Sequence, residues 1–117
     1  MRVLRAQRLS PEAVRAFTHV PTVDVERARV IVVPVLTPGV AAMTLGRWIL
    51  VRRGRDEDVG LIAHELVHVQ QWREHGALPF LARYLTDYVR GRLRGQPHWT
   101  AYAAISFESE ARERAGA

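Results

Sequence analysis

Residues 61–72 read Leu61-Ile62-Ala63-His64-Glu65-Leu66-Val67-His68-Val69-Gln70-Gln71-Trp72, and the fold unrolls from them in both directions. Ile62, Leu66 and Val69 recur at helical spacing and mark a buried face. Asp56, Glu57 and Asp58 stand where acids favour a helix N-terminus, and Gly76 is placed to end the helix, which predicts a helix over 59–75. Within it, His64-Glu65-Leu66-Val67-His68 has the pattern H-E-x-x-H. Residues four apart share a helix face, so His64 and His68 can grip one metal ion together. Glu65 is turned by about 100° from His64. From there it can lean over the open side of the ion and take a proton from a metal-activated water.

The chain has no cysteine, so disulfides and thiolate ligands are excluded and a metal must be held by His, Asp, Glu or water. Two histidines do not complete a zinc site; a third protein ligand is expected, with water in the fourth place. His75 lies about 10 Å further along the same helix axis and cannot reach the ion. That leaves His98, after the break at Gly95-Gln96-Pro97, and the late acids Glu108, Glu110 and Glu113. A second long helix is expected from Pro79 to Arg94, with Phe80, Leu81, Tyr84, Leu85, Tyr88 and Val89 as an apolar stripe packed on the motif helix. A last helical segment falls between Thr100 and Ala115. Tyr102, His98, Tyr84 and Tyr88 are candidates to stabilise an oxyanion.

On the N-terminal side, Ser10-Pro11-Glu12 opens a short helix that should run to about His19 and stop at Pro21. From Val23 to Val51 the texture is β-branched and alternating, with strands at Val30 to Val33 and Trp48 to Val51. Thr37-Pro38-Gly39 is a turn region, and Met43 to Arg52 joins the same sheet with a bend at Gly46. The fold class is α+β: a small N-terminal β-sheet packed against a bundle of about three helices. At 117 residues, 48% of them hydrophobic, the chain 1–117 is expected to form a single domain.

The net charge is +5 and all 17 basic residues are arginine. They are spread from Arg2 to Arg114, and the tight run Arg90, Arg92, Arg94 suits a solvated helix end, so nucleic acid is not expected as a partner. No stretch has the length of an uncharged membrane span, so no transmembrane segment is expected. At the N-terminus, Met1-Arg2-Val3-Leu4-Arg5 regains charge before an apolar signal core can develop, and the chain is expected to be cytoplasmic.

The stretch LIAHELVHVQQW at Leu61 to Trp72, followed by ISFESEA at Ile105 to Ala111, resembles the gluzincin clan of zinc metallopeptidases, above all its small single-domain bacterial members, the minigluzincins. The resemblance covers about half the chain, from roughly Met43 onward. It implies a zincin-like minimal catalytic domain and one Zn2+ held by His64, His68 and the first glutamate of the distal motif, Glu108, with Glu110 as the alternative ligand. It also implies Glu65 as the catalytic base, and the strand at Met43 to Arg52 as an edge that aligns an extended peptide. Thermolysin-like gluzincins often place an Asp four residues after the glutamate ligand to orient a zinc-bound imidazole. Arg112 stands there in this chain and cannot accept a hydrogen bond, so Glu110 or a backbone carbonyl must do so.

These features define the function classes. The first is a zinc-dependent peptidase acting on a peptide or protein substrate. The alternative is a non-catalytic or latent zinc-binding module acting through a protein partner. A third is a membrane-surface protein built on the Leu78 to Arg94 helix, whose arginines suit anionic lipid. The sequence leaves the oligomeric state open.

Overall fold

The computed structural model describes residues 5–116, so the N-terminal reading of Met1-Arg2-Val3-Leu4 lies outside the described residues. The elements run β1 (Gln7–Arg8), α1 (Pro11–Ala16), α2 (Thr22–Arg27), β2 (Arg29–Val33), β3 (Ala42–Leu45), β4 (Trp48–Arg52), α3 (Val59–His75), α4 (Ala77–Leu93), α5 (His98–Ala103) and α6 (Ser106–Ala115). The fold is α+β, a four-stranded sheet with six helices among the described residues. No helix among them is long and apolar enough to cross a membrane.

The sheet order is β1-β2-β4-β3, with β2 and β4 parallel and the other neighbours antiparallel. Strands β3 and β4 form a hairpin whose two-residue turn opens at Gly46, φ 65°, with Leu45 facing Trp48. A positive φ at the first turn position is the signature of a II′ turn, and glycine adopts it without strain. This hairpin leaves β3 at the edge of the sheet. Ile49 and Val51 of β4 are fully buried and meet Ile62, Leu66 and Val69 of α3 in the main core. A second apolar cluster of Phe80, Ile105 and Phe107, with Trp72 stacked on Phe80, ties α3 to α4 and α6.

Helix α3 has the predicted bounds. Asp58 caps it by accepting from Leu61 N at 3.0 Å, and Gly76 ends it at φ 81°. It is buried almost all round, because β3, β4, α2, α4 and α6 all pack on it. The expected apolar face is therefore only part of what α3 buries.

Four expectations need correction. Helix α1 ends at Ala16, short of His19. The strand region expected from Val23 instead opens with a helix, α2, over Thr22–Arg27. The alternation there is overridden by Asp24, which is fully buried and held by Arg73 of α3 through two hydrogen bonds of 2.6 and 2.8 Å. The α4 stripe is only half used. Phe80, Tyr84 and Tyr88 pack inward, whereas Leu81, Leu85 and Val89, together with Leu78 and Leu93, remain exposed. Nothing among the described residues covers that second face. Finally, the last helical segment divides at Ala104 into α5 and α6, a bend that brings Glu108 against α3.

Candidate metal centre

The centre is built where α6 crosses α3. His64 and His68 project from one face of α3, their rings 5.0 Å apart. Glu108, in the first turn of α6, reaches between them. Its Oε1 lies 3.0 Å from His64 Nε2 and its Oε2 lies 3.0 Å from His68 Nε2. Donor atoms about 2.0–2.1 Å from one tetrahedral zinc ion stand roughly 3.3 Å apart, so this spacing is close to that of a ligand set. Glu65 stands further off, its Oε2 at 3.9 Å from His64 Nε2 and 4.0 Å from His68 Nε2. His64, Glu65 and His68 form a group that can hold a metal ion.

Hydrogen bonding fixes the state of His68. Gln71, one turn further along α3, is fully buried, and its amide Nε2 donates to Phe107 O at 3.1 Å and to Glu110 Oε1 at 3.0 Å. Both partners are acceptors, so the Gln71 oxygen must face His68, where it accepts from Nδ1 at 2.7 Å. The proton of a neutral His68 therefore sits on Nδ1. Its Nε2 is buried without a hydrogen-bond partner, even though the Glu108 oxygen is near. A bare nitrogen lone pair facing a carboxylate is repulsive unless a cation, either a proton or a metal ion, lies between them. The donor set fits a metal ion on this ground.

The ionisation equilibria agree. Burial works to lower the His68 pKa, but the adjacent Glu108 carboxylate and the charge of Glu65 outweigh it and raise it. Burial works to raise the Glu108 pKa, but the hydrogen bond with His64 and the adjacent His68 imidazole hold the carboxyl well below the usual range. Glu65 is raised by its burial, against the pull of His68 and His64. Tyr84 donates to Glu108 Oε2 at 2.7 Å, and burial, then the Glu108 charge, raises its phenol so that it keeps its proton.

Two cavities flank the group. One, of about 200 Å³, is lined by Met43, Leu45, Trp72, Phe80 and Leu81 and opens on His68 and Glu108. The other, of about 400 Å³, runs past His64, Arg55 and Asp58. Glu65, Tyr102, Val40 and Ala42 border both, so β3 and the loop before it contribute lining to each cavity. Trp99 closes over that loop at Gly39, φ 83°, where an added Cβ would lie 2.8 Å from the indole.

The remaining candidates fall elsewhere. Glu110 turns away from His64 and His68 towards Gln71 and Arg114, the latter at 3.6 Å. His98 pairs with the Tyr88 hydroxyl at 2.9 Å and lines neither cavity. His75 packs edge-on against Phe107. Arg112 donates to Ala103 O and so braces α5 against α6. Gln71 is the residue the sequence reading passed over. Its signal was position, three residues beyond His68 on the same helix face.

An α+β fold with a buried group able to hold a metal ion is thus the class that fold and site define. Residues 34–76, from the loop before β3 to the cap of α3, match the family model described as the eCIS core domain, over less than half of the chain. No curated protein and no solved structure matches the chain.

Proposed function

We propose that the chain is a single-domain, gluzincin-like zinc peptidase. It would hold one Zn2+ through His64, His68 and Glu108, with Glu65 as general base. The observation that carries this reading is the convergence of Glu108 on two imidazole nitrogens, one of them a buried lone pair with no partner. A zinc ion bound there supplies a Lewis acid that polarises a carbonyl and acidifies water.

The chain's own residues account for the rest. Glu65 is buried, raised in pKa and set back from the imidazole nitrogens by about the room a water needs, which suits a base that takes a proton and returns it to a leaving amine. Tyr102 borders both cavities and is raised by burial and then by the Glu108 charge, so it stays protonated and can donate to a developing oxyanion. The register Leu45↔Trp48 and Met43↔Leu50 pairs those residues with β4 and leaves the main-chain groups of Ala42 and Thr44 on the open edge. An extended peptide can add there as a further strand, and an apolar side chain next to the scissile bond can fill the 200 Å³ cavity.

The exposed α4 face of Leu78, Leu85, Val89 and Leu93 favours one second reading, a latent or non-catalytic zinc module that engages a protein partner through this face. The test is cleavage of a diverse peptide library by the zinc-loaded full chain beside its Glu65→Gln variant. Cleavage by the wild type alone, with apolar residues enriched next to the cut, supports the peptidase. Stoichiometric zinc without cleavage by either moves the assignment to the module.

A further inference from the structure

Five arginines line a groove at the other edge of the sheet, and four of them, Arg8, Arg27, Arg29 and Arg47, make no ion pair among the described residues. Arg8 of β1 and Arg29 of β2 are direct cross-strand partners. Arg29 Nη1 and Arg47 Nε, the latter from the β3–β4 turn, both donate to the same oxygen, Arg27 O, at 3.0 and 2.9 Å. Two guanidinium groups therefore converge on one atom, with Arg8 beside them and Arg27 on the groove wall. The groove encloses about 690 Å³ and shares no lining residue with the two cavities at His64 and His68.

Like charges directly opposite in a sheet destabilise it. Opposing carboxylates normally offset that cost, but Glu26, the carboxylate that lines this groove, makes no ion pair with Arg8, Arg27, Arg29 or Arg47 among the described residues. Burial, then the charges of Arg47 and Arg8, depress the Arg29 pKa. Part of the arrangement is structural, since Arg29 and Arg47 satisfy carbonyls at the end of α2. That role accounts for one nitrogen of each guanidinium. It leaves Arg29 Nη2, the Arg47 terminal nitrogens and the whole Arg8 and Arg27 forks without a hydrogen-bond partner among the described residues.

We propose that this groove binds a compact phosphate dianion, a phosphomonoester or diphosphate group, between Arg8, Arg27, Arg29 and Arg47. Converging guanidinium groups need more than one negative charge in one place. A phosphate carries about −1.5 to −2 at neutral pH on a single centre, with oxygens that match the arginine fork. A carboxylate brings one charge, and successive carboxylates of an acidic peptide are spaced too widely to share so small a locus.

The test is titration of the zinc-loaded full chain with inorganic pyrophosphate, using an Arg8→Gln/Arg27→Gln variant as the comparison. Neither side chain has a hydrogen-bond partner among the described residues, so the variant should keep its fold and its zinc. Saturable binding that weakens with salt, and that falls at least tenfold in the variant, supports the proposal. Tighter binding to vesicles containing phosphatidic acid, lost in the same variant, supports it too and places the phosphate on a lipid headgroup. Three results would overturn it: equal affinity in wild type and variant, an Asp-rich peptide that competes as well as pyrophosphate, or an oligonucleotide that competes better. Zinc content and peptide cleavage are read separately, so failure here leaves the peptidase assignment untouched.

Discussion

Replacing Gln71 by Leu tests whether His68 is held for a metal ion or merely packed. The substitution keeps the volume roughly constant and removes three hydrogen bonds, those of 2.7 Å to His68 Nδ1, 3.1 Å to Phe107 O and 3.0 Å to Glu110. Glu110 is half exposed and can turn to water, so its bond contributes little. His68 Nδ1–H would be left buried and unpaired, at about 1–3 kcal/mol, whereas the Phe107 carbonyl keeps its helical bond from Ala111 within α6, and the added apolar surface offsets part of the loss. A net loss of roughly 1–3 kcal/mol in the stability of the zinc-free chain is expected. The effect on zinc is separate, because the imidazole loses the partner that keeps its proton on Nδ1 and its ring in place. Loss of such a partner weakens metal binding about 10- to 100-fold, or roughly 1.4–2.7 kcal/mol. Competition with a chromophoric chelator measures it, at a temperature where circular dichroism shows both proteins folded. If the folded Gln71→Leu chain binds zinc as tightly as wild type, Gln71 does not orient His68 and the tautomer argument fails.

Glu108→Ala should cost far more zinc affinity than Glu110→Ala in the same chelator assay; the opposite order would move the third ligand to Glu110. Without metal, Glu108 has a lowered pKa, so its contribution is present above the ordinary carboxylate value and lost as pH falls through the depressed one. His68 has a raised pKa, so its contribution is complete below the ordinary imidazole value and lost as pH rises through the raised one. Glu65, raised by burial, likewise contributes fully below the ordinary carboxylate value and loses that contribution as pH rises. The zinc-free chain should therefore be most stable towards the acid end of the range from about pH 4.5 to 6.5. Zinc, which requires unprotonated imidazoles, should move that optimum upward. Thermal melts across pH with and without chelator would show it, and a zinc-free optimum in alkaline solution would contradict it. Arg73→Ala strands the fully buried Asp24 and should cost about 3 kcal/mol, the lower end for a buried pair because the guanidinium still meets solvent. Leu85→Arg on the open face of α4 should change stability by less than about 0.5 kcal/mol. A larger loss in denaturant unfolding would show that the face is covered in the free chain.

What could be read from the chain depended on how local the cause was. Helix α3 declares itself because its cap, its period, its closing glycine and its His-Glu-His group all lie within one contiguous segment. Glu108 stood beside His98, Glu110 and Glu113 as a candidate until the resemblance singled it out, since the bend at Ala104 that swings α6 onto α3 leaves no periodic trace in the residues around it. Helix α2 was misread because Asp24 is stabilised by Arg73, far along the chain, and a propensity reading cannot weigh a tertiary partner. The same limit hid the basic groove. Arg90, Arg92 and Arg94 form a run in the sequence and are solvated at the end of α4. Arg8, Arg27, Arg29 and Arg47 are scattered, and it is the pairing of β1 with β2 and the turn of the β3–β4 hairpin that bring them together. Charge density along a chain and charge density in space are different quantities, and only the second decides what an anion meets.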